Sequence, residues 1–266
     1  MGYAHFPLDN RSKSGIAYWA KDTGEEVSKK FKGERCAYCS VRKAVTGDHI
    51  FAREFFVVSA RSNLPQAPIC ESCNNEKSKL EHYLTTVLPF GGRHDDASEN
   101  LASMVPKRLG KNVRLHRRLQ AGRKIVFVPN QEGKLEGTIA IPFDGEKLEG
   151  LFSMIARGLA WYHWREYLEP GYEVQTHTVT ARGLQHYEEK LFRKNVRARV
   201  SNNLGNDTFV YEGVQAVDDP SITVWRFSVY GGLASYEDEI ASEMQGSHLI
   251  SITGPSSAFK LAKVDG

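Results

Sequence analysis

The chain has 266 residues, 41% of them hydrophobic and 25% charged, with a net charge of +3, which is enough for a substantial core in one or two domains. No apolar run is long enough to span a membrane, and the N-terminus lacks the basic start and apolar stretch of a signal peptide. A cytoplasmic protein with reduced thiols is therefore expected. A charge this small does not announce a nucleic-acid partner, so its distribution along the chain matters more than its total.

Residues 1–27 are polar and irregular, with Pro7, Gly15 and Gly24, and read as an arm whose Tyr18 and Trp19 pack on the next unit. A short helix is expected from Gly24 toward Phe31. All four cysteines lie in the following unit, 28–95, as Cys36-Ala-Tyr-Cys39 and Cys70-Glu-Ser-Cys73. A two-residue gap turns both sulfurs of a pair toward one point, so two pairs can close a tetrahedron around a structural zinc ion, with disulfides as the alternative. Between and after the pairs stand Asp48-His49, Asn63, Asn74 and Asn75. Residues 41–45 and the segment around Ile50 read as two strands of a hairpin that carries His49 near its end. Phe51, Phe55, Phe56, Val57 and Val58 give the long connection an apolar payload. Leu80, Tyr83, Leu84 and Val87 recur at helical spacing over 74–87, and Pro89 with Gly91-Gly92 ends that helix.

Cys-x-x-Cys, Asp-His, Asn and Cys-x-x-Cys-Asn in this order resemble the HNH endonuclease family, over roughly residues 31–83. The resemblance implies a ββα-metal module stapled by zinc on Cys36, Cys39, Cys70 and Cys73. In it His49 is the general base, Asp48 and Asn74 hold a catalytic magnesium or manganese ion, and Asn63 braces the loop carrying the base. Asn63 lies a couple of residues farther from Cys70 than the family spacing, and Asn75 remains an alternative to Asn74. The residue types suit phosphodiester hydrolysis. A neutral imidazole can take a proton from water at cellular pH, a divalent cation offsets charge gained by the phosphate oxygens, and hard oxygen donors prefer magnesium or manganese. Each piece has a plainer role alone: Asp-His is a common surface pair, and Asn is a favoured helix cap.

Residues 96–123 form a basic connector. Lys107, Arg108, Lys111, Arg114, Arg117, Arg118, Arg123 and Lys124 follow one another with no acidic residue between Glu99 and Glu132. Met104, Val105, Leu109, Val113, Leu115 and Leu119 recur roughly as on a helix, disturbed by Pro106 and Gly110, which predicts a basic helix or a broken pair. Such a stretch is a track for a phosphate backbone or a solvated connector. Arg53, Lys77 and Lys79 are further candidates to meet phosphate, an ion pair or solvated face being the plainer reading.

Residues 124–266 predict an α+β domain with a mainly antiparallel sheet. Strands are expected at 124–129 and 137–142 around a turn at 130–133, and again at 172–178, 196–200, 208–214, 222–230 and 248–253. The helix at 148–167 is apolar on most sides and so predicted to be buried. A polar helix is expected at 183–194 and an acidic one at 236–244. This part carries no catalytic motif, and its expected role is specificity, regulation or dimerisation. The expectation for the whole chain is a metal-dependent endonuclease acting on double-stranded DNA in defence or restriction, with a homodimer or a regulatory partner protein formed through the C-terminal domain. The alternatives are a non-catalytic, zinc-stabilised module that binds nucleic acid or protein, and a nuclease effector silent until a partner or ligand binds.

Overall fold

The computed structural model describes residues 30–129, 134–179, 181–193, 196–232, 248–257 and 259. The expected arm with its short helix, the turn at 130–133 and the acidic helix at 236–244 lie outside the described residues.

Strands β1 (Thr46–His49) and β2 (Gln66–Ile69) are followed directly by helix α1 (Glu71–Val87). The strands are antiparallel, with Thr46 opposite Ile69 and His49 opposite Gln66. This corrects the expected hairpin between 41–45 and the segment around Ile50. Residues 33–44 fold back on themselves at the first cysteine pair: the Cys36 amide donates to the Arg42 carbonyl, the Ala44 amide to the Glu34 carbonyl, and Arg35 pairs with Lys43 in a single bridge. Those backbone groups are already satisfied, so the ladder with β2 starts after them, at the Val45 amide. The connection 50–65 is packed rather than free. Phe51, Phe55 and Phe56 are buried, each against Phe209, at ring centroid distances of 4.5, 5.7 and 6.4 Å.

Three helices follow, α2 (Asp95–Ser103), α3 (Val105–Lys111) and α4 (Val113–Ala121). The basic stretch is the broken pair α3 and α4, but the break falls at Asn112, whose side chain caps α4 by accepting from the Leu115 amide. Pro106 does not break a helix; it sits in the first turn of α3, where a missing N–H costs nothing. Helix α2 has too few apolar positions to be visible in the sequence, and it is held through Asn100, whose buried amide donates to the Phe55 carbonyl at 3.1 Å.

Strands β3 (Lys124–Pro129) and β4 (Leu135–Ala140) pair only with each other among the described residues. Helix α5 (Gly145–Trp164) is the expected buried helix. Asp144 caps its start, and Arg165, in the left-handed region at φ 57°, turns the chain out of it. Strand β5 (Tyr172–Val179), helix α6 (Ala181–Tyr187, running on in a wider turn to Phe192) and strands β6 (Val196–Leu204), β7 (Phe209–Ala216), β8 (Thr223–Val229) and β9 (His248–Pro255) complete the chain. The five strands form one sheet in the order β5-β9-β8-β7-β6, every neighbour antiparallel. Helices and a mainly antiparallel sheet make this an α+β protein.

Helix α5 is apolar nearly all round because it is covered from two sides. Toward the sheet, Phe152 meets Phe209 and Phe227 at 5.8 and 5.0 Å. Toward the β1–β2–α1 unit, Gly150 faces Leu80 and Gly158 faces Ile50 and Tyr38, so that a Cβ at Gly158 would stand 3.1 Å from Ile50 Cγ1. One buried cluster consequently runs from Phe31 to Leu249, through residues on both sides of position 123. Among the described residues no helix is long and apolar enough to cross a membrane.

Near its C-terminal end α5 places His163 in an aromatic nest, with Nε2 2.9 Å from the Tyr211 hydroxyl and the ring stacked near Trp225. Burial pushes its pKa down to about 4. The unfolded chain takes up a proton below about pH 6.5 that the native ring refuses until about pH 4, so folding stability falls as pH drops through that window. Replacing His163 with Gln should flatten part of this acid limb, read as a smaller difference in Tm between pH 7.5 and pH 5 than the wild type shows.

Candidate functional site

The four cysteines converge because β2 ends where α1 begins. Cys70 closes the strand and Cys73 lies on the first turn of the helix, while the turn of residues 36–39 folds over them. The four sulfurs all lie within 4.8 Å of one another, with Cys39 and Cys70 Sγ at 3.9 Å, and all four cysteines are free. Tetrahedral zinc thiolate, with bonds of about 2.3 Å, sets sulfurs about 3.8 Å apart, so the cluster can hold a metal ion such as zinc. Backbone amides reinforce it: Cys70 N–H donates to Cys36 Sγ at 3.3 Å and Arg42 N–H to Cys39 Sγ at 3.5 Å. Burial alone would raise the Cys39 thiol, but amides of Arg42 and Val41 outweigh it and bring its pKa down to about 7. Burial pushes Cys36 and Cys73 up.

Asp48 and His49 end β1 beside this cluster, on the strand facing α1. His49 is half-buried, and burial first, then the Arg53 charge, lowers its pKa, so the ring is neutral at neutral pH. Its Nε2 lies 3.0 Å from the Gln66 side-chain nitrogen. With the amide nitrogen donating, the lone pair is on Nε2; with the amide turned so that its oxygen accepts, Nε2 carries the proton and Nδ1 is bare. Asp48 accepts from the Tyr38 hydroxyl and from Lys77 Nζ at 3.0 Å. Lys77 also donates to the His49 carbonyl at 2.8 Å and to Glu81 at 2.5 Å. Burial would favour the neutral amine, but the Asp48 and Glu81 carboxylates outweigh it and hold the ammonium charged. Burial in turn lifts the Glu81 carboxyl to about 7. Asn74 lies three residues before Lys77 on α1, so both belong to one helical face.

Comparisons with protein-family models, with curated proteins and with solved structures give no match for this chain.

The expected site residues thus divide. Asp48, His49 and the four cysteines are neighbours in one unit, with Asn74 on the facing helix. Asn63 is exposed, at a positive φ of 58° in the turn before β2; the group at the His49 ring is Gln66 instead. Lys77, expected near phosphate, is fully buried under Asp48. Arg108 turns inward, its guanidinium donating to the carbonyls of Thr85 at 2.6 Å and Glu54 at 3.0 Å. Arg53, Lys79, Lys107, Lys111, Arg114 and Arg117 are exposed, and Arg118 is exposed with Asp144 at 4.0 Å. Gln66, Tyr38 and Glu81 are the partners that sequence reasoning missed. Only Glu81 had a signal, its i+4 spacing from Lys77. An open depression of about 450 Å³ lined by Val57, Ser59, Ser62, Asp96 and Asn206 contains none of the expected site residues.

Two substitutions test this arrangement. Cys36→Ser should lose bound metal and lower Tm together, because a structural metal contributes folding free energy directly; a variant that keeps both would contradict a metal staple. Lys77→Met leaves the Asp48 carboxylate buried without its cation, while Glu81, its pKa already lifted to about 7, takes up a proton; the loss should cost about 3 kcal/mol in urea unfolding at neutral pH.

Proposed function

We propose that this chain is a metal-dependent endonuclease of the HNH type, hydrolysing phosphodiester bonds of DNA in the cytoplasm as part of defence or restriction. The observation that carries the reading is the Asp48-His49 pair at the end of β1, with a neutral imidazole, set in a β-β-α unit beside a four-cysteine cluster. His49 takes the proton of the attacking water on Nδ1, with the Gln66 amide turned so that its oxygen accepts from Nε2–H and sets the orientation of the ring. Zinc on the four cysteines holds the turn of residues 36–39 to the start of α1, and with it the strand that presents Asp48 and His49. The Asp48 carboxylate and the Asn74 side-chain oxygen are the donors for a magnesium or manganese ion, a hard-oxygen set that fits either. Such an ion, when bound, offsets negative charge gained by the phosphate and leaving oxygens. Lys77 and Tyr38 hold Asp48 in place from below. The products would carry a 5′ phosphate and a 3′ hydroxyl.

One observation favours a second reading. The Lys77 ammonium already neutralises Asp48, as suits a zinc-stabilised module that binds nucleic acid or protein without cutting, or an effector silent until a partner or ligand docks on the C-terminal sheet.

Plasmid cleavage by purified wild type and His49→Ala, with magnesium, with manganese and with chelator, separates these. The nuclease reading expects metal-dependent nicking or linearisation by the wild type and a loss of about 100-fold or more without the base. Equal activity in both proteins would remove His49 from the chemistry. Inactivity of both would favour the second reading.

A further inference from the structure

The β3–β4 ribbon has an apolar face that no other described residue covers. Cα register sets Ile125 opposite Ile139, Phe127 opposite Gly137 and Pro129 opposite Leu135, and cross-strand partners and alternate residues share a face. Ile125, Phe127, Leu135 and Ile139 therefore stand on one side, and they are 61% to 74% exposed. Gly137 makes the ridge continuous, since a Cβ there would meet Phe127 Cε1 at 3.5 Å and Ile125 Cγ2 at 3.8 Å. A two-stranded ribbon with its apolar side in water is marginal alone, and such a patch marks an interaction surface.

Charge selects the occupant. The ribbon is rooted at the end of α4, where Gly122 abuts Pro142 closely enough that a Cβ would lie 2.7 Å from Pro142 Cγ. Leu115 and Leu119 turn the inner side of α4 into the core, which leaves Arg114 and Arg117 outside, and Arg123 and Lys124 are exposed at the root itself. Near the root Asp144 is engaged by Lys147 and Arg118, and Glu136 holds the register position between Leu135 and Gly137, off the ridge. Two copies stacked on this face would bring the Arg123 and Lys124 cations of both roots together, which costs affinity. A polyanion meets them favourably. An apolar ridge has no donors with which to read base edges, but it fits the use that minor-groove proteins make of Phe, Leu and Ile, which wedge between base steps and kink the duplex.

We infer that the β3–β4 ribbon is a DNA-bending arm, its Ile125–Phe127 ridge entering the minor groove of duplex DNA while Arg114, Arg117, Arg123 and Lys124 hold the flanking phosphates. The inference deepens the nucleic-acid reading above and rests on it.

Binding is measured on the zinc-loaded protein with no magnesium or manganese added, by fluorescence anisotropy on a short duplex labelled at both ends for energy transfer. The full-length wild type should bind and shorten the end-to-end distance. Ile125→Ser with Phe127→Ser should weaken binding about tenfold or more and abolish the shortening, with the salt dependence unchanged. Arg114→Gln with Arg117→Gln should instead reduce the salt slope by about 2. All four positions are exposed, so an unchanged Tm is the control for folding. Equal affinity and equal shortening in the ribbon variant would overturn the arm, as would a wild type that does not bind duplex. A wild-type dimer in light scattering that the ribbon variant dissociates, with DNA binding untouched, would overturn it in favour of a second copy. A wild type that binds and bends but fails to cut with either magnesium or manganese would keep the arm and favour the second reading of the site.

Discussion

Helix α5 sets the constraint on which the rest of the molecule depends. Twenty residues with buried side chains around most of the circumference cannot face water, so the helix requires a layer on each side. The five-stranded sheet supplies one, through Phe209 and Phe227 against Phe152. The β1–β2–α1 unit supplies the other, through Leu80, Ile50 and Tyr38 against two glycines. The long connection 50–65 then completes the seal, carrying three phenylalanines to the sheet. A unit whose own cysteine cluster would be the core of a small metal module is thereby built into the core of a larger protein.

The back of the candidate site is made by the same contact. Tyr38 packs at Gly158 and donates its hydroxyl to Asp48. Lys77 lies beneath, and two carboxylates with a backbone carbonyl satisfy its ammonium. Removing a charged amine from water is costly unless it is paired, and here the pairing fixes both the end of β1 and the facing turn of α1. The rigidity that positions Asp48 and His49 thus comes from a buried cation, not from the exposed Asn63. The surfaces of the following segment are different in kind: the basic face of α4 and the apolar ridge of the β3–β4 ribbon are exposed.

Several features are legible in the residues because they depend on near neighbours. The spacing of Cys36 and Cys39, and of Cys70 and Cys73, points each sulfur pair inward. The recurrence of Leu80, Tyr83, Leu84 and Val87 marks α1, and the apolar circumference of 148–167 marks a buried helix. Strand alternation locates β5 to β9 to within a few residues. The tandem Asp48-His49 stands out for its chemistry. Register is not legible in this way. Residues 41–45 have strand-like composition, yet their backbone groups are used by the cysteine turn, and the partner of β1 comes seventeen residues later. Gln66 reaches His49 only through that register.

The sequence by itself therefore determined the metal-binding pattern, the period of each long element, the α+β class and the chemical types available at Asp48 and His49, since each follows from covalent spacing or side-chain periodicity over a few turns. Tertiary structure alone decided which candidates are inside. It sent Lys77 and Arg108 inward to carbonyls and carboxylates, left Asn63 in solvent, joined the cysteine unit to the sheet around α5 and exposed one face of the β3–β4 ribbon. Those outcomes rest on contacts between residues far apart in the chain, where burial and hydrogen-bond satisfaction are decided by the whole core and no local pattern records the result.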